Sequence, residues 1–160
     1  MKIPQKAYER GVSAIAKSAW HESIILNITR RHLKEAAMKT ILILENDPRI
    51  LCIIFKILLE IRLDYAPIVL STSEQVEKLI NPNDMVFDLI LLDRNCSLGR
   101  SFHILDIAKF GPDKVIGMSS VPQYNDDLLE RGVTKITTKD YDNLNQFTSD
   151  LKKAISMFFT

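Results

Sequence analysis

From residue 38 onward this sequence predicts a doubly wound α/β domain, a parallel sheet with helices on both faces. Short β-like apolar runs alternate with helical patterns along the whole stretch, and parallel strands joined by right-handed crossovers must be covered by helices on both sides. The run from Phe87 to Asp93, FDLILLD, is apolar on both faces, as a central parallel strand is. Four of the runs also stop at residues with chemistry: ILIL at Glu45-Asn46-Asp47, LILL at Asp93, VIGM at Ser119 and KITT at Lys139.

Each element has a local reason. Thr40 to Glu45 reads as β1, and Pro48 to Arg62 (PRILCIIFKILLEIR) as a strongly apolar α1 with Pro48 in its first turn, where the missing N–H costs nothing. Pro67 to Leu70 is β2. Ser71-Thr72-Ser73-Glu74 has capping-box spacing ahead of Val76, Leu79 and Ile80, so α2 starts there and ends near Asn81-Pro82. After β3, Phe87 to Asp93, a helix over Phe102 to Phe110 (α3) is closed by Gly111-Pro112. Val115 to Ser119 is β4, Tyr124 to Arg131 is α4 with Gly132 behind it, Lys135 to Thr138 is β5, and Asn143 to Phe159 is an amphipathic α5. Internal repeats and low-complexity stretches are absent from the sequence.

Residues 1–37 read differently. Tyr8, Val12, Ile15, Ala16 and Ala19 recur at helical spacing, followed by Ile24, Ile25 and Ile28, so one or two amphipathic helices are expected, the first weakened by Gly11. Short helices are marginal alone, so this stripe must be buried on its own domain or on a second copy. The segment holds seven Lys/Arg and three Glu, against 14 basic and 17 acidic residues in the rest. The boundary is placed at residue 37, between a basic helical extension (1–37) and the main domain (38–160). Its cations cluster only at Arg30-Arg31, which reads as a solvated helical face rather than a nucleic-acid surface.

With 160 residues, 46% hydrophobic and 26% charged, the chain fits one globular domain plus a modest appendage, which excludes a second large core. The two cysteines, Cys52 and Cys96, have no metal or disulfide spacing and suit a reducing cytoplasm; Cys52 reads as core. No apolar stretch approaches the ~20 residues of a membrane span. His21, His32 and His103 show no ligand spacing.

If the four runs are neighbouring parallel strands, their carboxyl ends share one rim, where open α/β folds place ligands. An acidic cluster, a lone Asp, a hydroxyl and a Lys on that rim describe a pocket able to carry a phosphoryl group on Asp93. Singly, each residue has an ordinary structural reading: Asp93 as a turn former, Ser119 and Ser120 as helix caps, Lys139 as a solvated cation. Their conjunction on successive βα units favours the chemical reading.

At these residues the chain from about Met38 to Thr160 resembles the receiver domain of two-component response regulators. The pieces that carry the resemblance are ILILENDP at β1, DLILLD at β3, VIGMSS at β4 and GVTKITTK at β5, in order and at ordinary spacing. The resemblance implies a flavodoxin-like strand order of 2-1-3-4-5, with the switch-point crevice between β1 and β3. It implies Asp93 as phosphoacceptor from a phosphohistidine donor. Mg²⁺ would be held by Glu45 and Asn46, by Asp93 and by the backbone carbonyl of Asn95. Ser119 would donate to a phosphoryl oxygen, and Lys139 would pair with Asp93 or the phosphoryl group. Such a domain catalyses only its own phosphorylation and dephosphorylation, and is not otherwise an enzyme.

Several positions depart from the family pattern. Asn46 stands where a carboxylate normally ligates the metal, so weaker Mg²⁺ binding is expected. RNCSLGRS replaces the usual Met-Pro turn after Asp93, Lys139-Asp140 replaces Lys-Pro, and Ile136 replaces the aromatic that couples the hydroxyl residue to the α4-β5-α5 face. With Val121 and Asn95 flanking the site, no side chain is evident to place a hydrolytic water, and slow loss of the phosphoryl group is expected. The leading expectation is a stand-alone receiver in a phosphorelay. Its partners would be a histidine kinase or phosphotransfer protein and a downstream protein target, with a homodimer as one form of output and neither membrane nor nucleic acid involved. The alternative is a degenerate receiver that binds partners without being phosphorylated. A flavin or nucleotide binder would need a Gly-rich or Ser/Thr-rich phosphate loop after β1, which is missing.

Overall fold

The computed structural model describes residues 38–61, 64–95 and 101–159. The extension expected over residues 1–37, and Cys96 and Ser97 of the loop after Asp93, lie outside the described residues. Five parallel strands form one sheet in the order β2-β1-β3-β4-β5, as expected: β1 is Lys39–Leu44, β2 Tyr65–Leu70, β3 Leu89–Asp93, β4 Val115–Ser119 and β5 Lys135–Thr138. The register brings Leu44 beside Leu92 and Asp93 beside Met118, so the carboxyl ends of β1, β3 and β4 finish level. Among the described residues no helix is long and apolar enough to cross a membrane.

The helices are α1 (Pro48–Ile61), α2 (Ser73–Gln75, continued by a π-helical turn Val76–Ile80), α3 (Ile107–Phe110, after a 3₁₀ turn Phe102–Ile104), α4 (Pro122–Glu130) and α5 (Leu144–Ser156). In α1 the buried stripe is Ile50, Ile54, Ile57 and Leu58, spaced for one helical face. Cys52 falls off that stripe and is exposed, against the expectation that it is core. The helix is apolar almost all round, and that composition hides which side is buried. The capping box of α2 begins one residue later than expected: Gln75 N–H donates to Thr72 Oγ1 at 3.3 Å while Thr72 N–H donates to Gln75 Oε1 at 3.1 Å. The single helix expected over Phe102 to Phe110 is broken instead. Leu105 takes an extended ψ of 129° and the Asp106 side chain caps a fresh turn by accepting from Lys109 N–H at 3.1 Å. Phe102, Leu105, Ile107 and Phe110 are all buried, at separations that fit two short turns better than one continuous helix.

Pro67 lies inside β2 rather than starting it, on an edge of the sheet. Lys39 N–H bonds the Asp64 carbonyl at 2.8 Å and Glu45 N–H bonds the Leu70 carbonyl at 3.2 Å, so the even-numbered residues of β2 turn their backbone groups to β1. Pro67 therefore faces the edge that no other described strand pairs, where its lack of an N–H breaks no ladder bond.

Side chains alternate across the sheet. Ile41, Ile43, Leu89, Leu91, Ile116 and Met118 pack with α1 and α5, while Leu42, Leu44, Ile90, Leu92 and Val115 pack with α2, α3 and α4. α4 comes closest over Gly117, where an added Cβ would lie 2.6 Å from Leu128 Cδ1 and 2.7 Å from Ile136 Cδ1. Gly117→Ala should therefore lower the unfolding free energy by about 1–2 kcal/mol, because the two methyls that must move are terminal and can partly give way. Urea denaturation checks it.

Candidate functional site

The alternation of the strands decides which residues meet at the rim. Continued one step past Ile43 and Leu91, it sends Glu45 and Asp93 out on the α1/α5 side. Ile136 packs into the opposite core layer, so Lys139, three residues on, also emerges on the α1/α5 side. The three side chains meet there. Lys139 Nζ lies 2.5 Å from Glu45 Oε2 and 2.7 Å from Asp93 Oδ2, and all three residues are buried, with Asp93 4% exposed.

Every remaining carboxylate oxygen of this triad has a donor. Glu45 Oε1 accepts from the backbone N–H groups of Asn46 (2.9 Å) and Asp47 (2.8 Å), and Asp93 Oδ1 accepts from Asn95 N–H at 3.0 Å. Burial, only partly opposed by the Lys139 charge and reinforced by the Glu45 carboxylate, pushes the Asp93 pKa up to about 6. Burial works against the Lys139 charge as well, but Asp93 and Glu45 outweigh it and hold its pKa above the usual lysine value. Asp93 is thus ionised at neutral pH yet poorly solvated, and Lys139 is a fixed cation.

Above the triad is a cleft of about 60 Å³ lined by Asn46, Asp47, Asp93, Asn95, Ser120, Lys139 and Tyr141. Asp47 opens α1 by accepting from Arg49 N–H at 2.9 Å and pairs with the Arg49 guanidinium at 2.7 Å, which lowers its pKa. The same guanidinium sits 5.2 Å over the Tyr141 ring. Ser119 does not line this cleft. It leaves β4 on the α4 side, where its Oγ accepts from Val121 N–H at 3.1 Å and its carbonyl accepts from Asn125 Nδ2 at 3.4 Å. Ser120, on the opposite phase, supplies the hydroxyl at the wall. Glu45 is likewise turned inward, away from the cleft.

The possible ligands around the cleft are oxygens: two carboxylates (Asp47, Asp93), with Asn46, Asn95, Ser120 and Tyr141 beside them. That chemistry fits a hard divalent cation. Among the described residues, however, no group of three His, Cys, Asp or Glu is gathered to hold a metal, so such a site would rest partly on neutral donors.

Neither family models nor curated sequences match this chain. Solved structures do. The Mn²⁺-bound response regulator Rcp1 superposes with a TM-score of 0.61 at 22% identity, covering 76% of this chain and 94% of that one. This is the receiver fold. The phosphorylated cyanobacterial phytochrome response regulator RcpA gives a TM-score of 0.59 at 19% identity, covering 78% and 96%. TrrA from Thermotoga maritima, in complex with Mg²⁺-BeF, gives 0.52 at 24%, covering 73% and 99%.

Of the residues lining the cleft of this receiver fold, sequence reasoning named Asn46, Asp93, Asn95 and Lys139 as site candidates, read Ser120 only as a helix cap and did not single out Tyr141. Strand phase was the available signal for Ser120. Counting alternate residues from Met118 places Ser120, not Ser119, on the Asp93 side, and counting from Leu92 places Arg94 on the α4 side.

Proposed function

We propose that this chain is a phosphoryl-accepting receiver, modified on Asp93 by a phosphohistidine of a histidine kinase or phosphotransfer protein. We further propose that it signals by changing its association with a partner or with itself. The observation that supports this most is the Asp93 carboxylate, which opens into a solvent-reached cleft while Lys139 is fixed 2.7 Å away. In the transfer, an Asp93 oxygen attacks phosphorus, the N–P bond of the donor breaks, and the imidazole nitrogen leaves with the electron pair. Transfer of this kind needs positioning and charge neutralisation more than covalent assistance. Lys139 supplies one positive charge and stays paired with Glu45, so it need not be recruited from solvent. The Asn95 N–H holds the second Asp93 oxygen and fixes the plane of the nucleophile. Ser120 offers a hydroxyl at the wall, and Ser119 reaches the phosphoryl group only by giving up its bond to Val121 N–H.

A divalent cation, Mg²⁺ on this reading, would be held by Asp93, the Asn46 amide and the Asn95 carbonyl, with Asp47 on the same wall. When bound it neutralises phosphoryl oxygens. The metal-bound forms of Rcp1 and TrrA support this reading. Residues 1–37 are proposed as a separate basic extension, and the surroundings of the protein as cytoplasmic.

The test is intact-mass detection of a phosphoryl adduct after acetyl phosphate treatment, with and without Mg²⁺. An adduct that requires Mg²⁺ is expected, and no adduct at ample Mg²⁺ would leave the second reading, a phosphorylation-independent interaction module, which Asn46 and Ile136 favour. Ser120→Ala should slow uptake about tenfold, the effect of one lost charge-assisted hydrogen bond in a site of this kind. An equal or larger loss with Ser119→Ala would show that the Ser119 rotamer turns during the reaction.

A further inference from the structure

Arg94 follows the proposed phosphoacceptor directly, and the strand phase that sends Asp93 to the cleft sends Arg94 to the opposite face, onto α4. There its guanidinium lies 4.5 Å over the Tyr124 ring and its NH1 is 3.1 Å from Asp127 Oδ2. Tyr124 and Asp127 are three residues apart on α4, so a single side chain grips one face of that helix. The backbone of Arg94 is anchored too. Its carbonyl accepts from Ser101 Oγ, and the next residue, Asn95, donates its N–H to Asp93 Oδ1 at 3.0 Å. A change at the Asp93 carboxylate is therefore one peptide away from the residue that holds α4.

The far side of the grip is under-satisfied. Asp127 Oδ2 is buried and has no hydrogen bond of good geometry, although Arg94 NH1 and His103 Nδ1 (3.2 Å) both crowd it. His103 Nδ1 is also 3.3 Å from Arg131 NH1, and the Arg131 guanidinium donates to the carbonyls of His103 (3.1 Å) and Leu105 (2.5 Å). The residue after α4 is thus tied to the same loop. Asp127 thus sits between Arg94 and His103 on a half-exposed flank of the helix, where a small displacement of Arg94 changes which of them it faces. Ile136 offers no polar link of this kind, since it packs against the apolar core.

We propose that Arg94 is the positioning residue that transmits the state of the Asp93 carboxylate to α4. When that carboxylate gains a phosphoryl group, or is replaced by an amide, the Asn95 N–H shifts, the Arg94 peptide follows, and the grip on Tyr124 and Asp127 changes. This rests on the reading of Asp93 as phosphoacceptor for its use in signalling, while the mechanical link stands on the contacts themselves.

The test is amide hydrogen exchange of residues 122–130 in the full chain. It compares three states: untreated, treated with acetyl phosphate and Mg²⁺ with the adduct quantified by intact mass, and Asp93→Asn. The expected result is that α4 exchange differs between Asp93 states by about fivefold or more, the lower end of coupling between linked sites. That difference should vanish in Arg94→Ala and in Asp127→Asn and be partly restored in Arg94→Lys. A purely structural role would change the baseline exchange of α4 but leave the difference between Asp93 states intact, and that result would overturn the proposal. Failure to form an adduct sinks the phosphoacceptor reading instead. The comparison of Asp93→Asn with and without Arg94 still decides the coupling.

Discussion

Asp93→Asn should abolish the phosphoryl adduct and, at pH 7, make the protein more stable. The first effect follows because an amide nitrogen or oxygen cannot replace the carboxylate as nucleophile. The second follows from the cost of ionising Asp93 where it sits. Burial and the Glu45 charge raise its pKa from 3.8 to about 6 in the folded chain despite the Lys139 contact. Below pH 3.8 the group is protonated in both folded and unfolded chains and contributes nothing. Between pH 3.8 and about 6 the folded chain holds a proton that the unfolded chain has released, so stability falls as pH rises. Above that window a constant penalty remains, at most about 3 kcal/mol at 1.36 kcal/mol per unit of pKa. The amide imitates the protonated acid and removes it. Urea denaturation of both chains at pH 7 and pH 3.5 checks the sign: a clear gain at the upper pH that shrinks towards zero at the lower. Phosphoryl uptake by the unmodified chain should fall over the same window as the nucleophile takes up its proton. A variant less stable at pH 7 would mean that Lys139 stabilises the Asp93 anion more than burial and Glu45 destabilise it.

Asn46→Asp should tighten divalent-cation binding by about tenfold or more. Two unit charges ~4 Å apart exchange about 4 kcal/mol at an effective dielectric of 20, and desolvation takes back a large part. About 1.4 kcal/mol surviving is a factor of ten. The same change should destabilise the metal-free protein, because a further carboxylate joins Glu45, Asp47 and Asp93, whose neighbouring cations, Lys139 and Arg49, are already paired. Calorimetric titration with Mg²⁺, and with Mn²⁺ as a spectroscopic probe, gives the affinity without reference to phosphoryl transfer. Unchanged affinity would mean that the Asn46 side chain does not face the cation.

The doubly wound sheet and its shared rim were legible because apolar runs of strand length alternate with helical patterns; the strand order came only with the family resemblance, and β4 and β5 fall where the sequence places them. The short turns around Leu105 and Asp106 were not. Their apolar residues are the right ones, and only the capping carboxylate distinguishes two turns from one helix. Cys52 was misjudged for the converse reason, since α1 carries more apolar residues than its buried face needs. At the rim, Asp93 and Lys139 were readable as residue types, and the structure adds their 2.7 Å approach. The inward turn of Glu45 was not readable, because it depends on two loop N–H groups that only the folded path of residues 46 and 47 presents. Ser120 was legible only as a helix cap, because its place at the cleft depends on the strand phase continuing one residue past the end of β4.

Pro67 also bears on how copies of the chain can meet. An open sheet margin is a template for adding foreign strands, and a row of unpaired donors there invites fibrils or swapped assemblies. The imide ring deletes one donor from the middle of that row, so lateral extension past β2 is interrupted where it would otherwise nucleate. Association of two copies is thereby steered away from the strand margin and towards the helical flanks of the sheet.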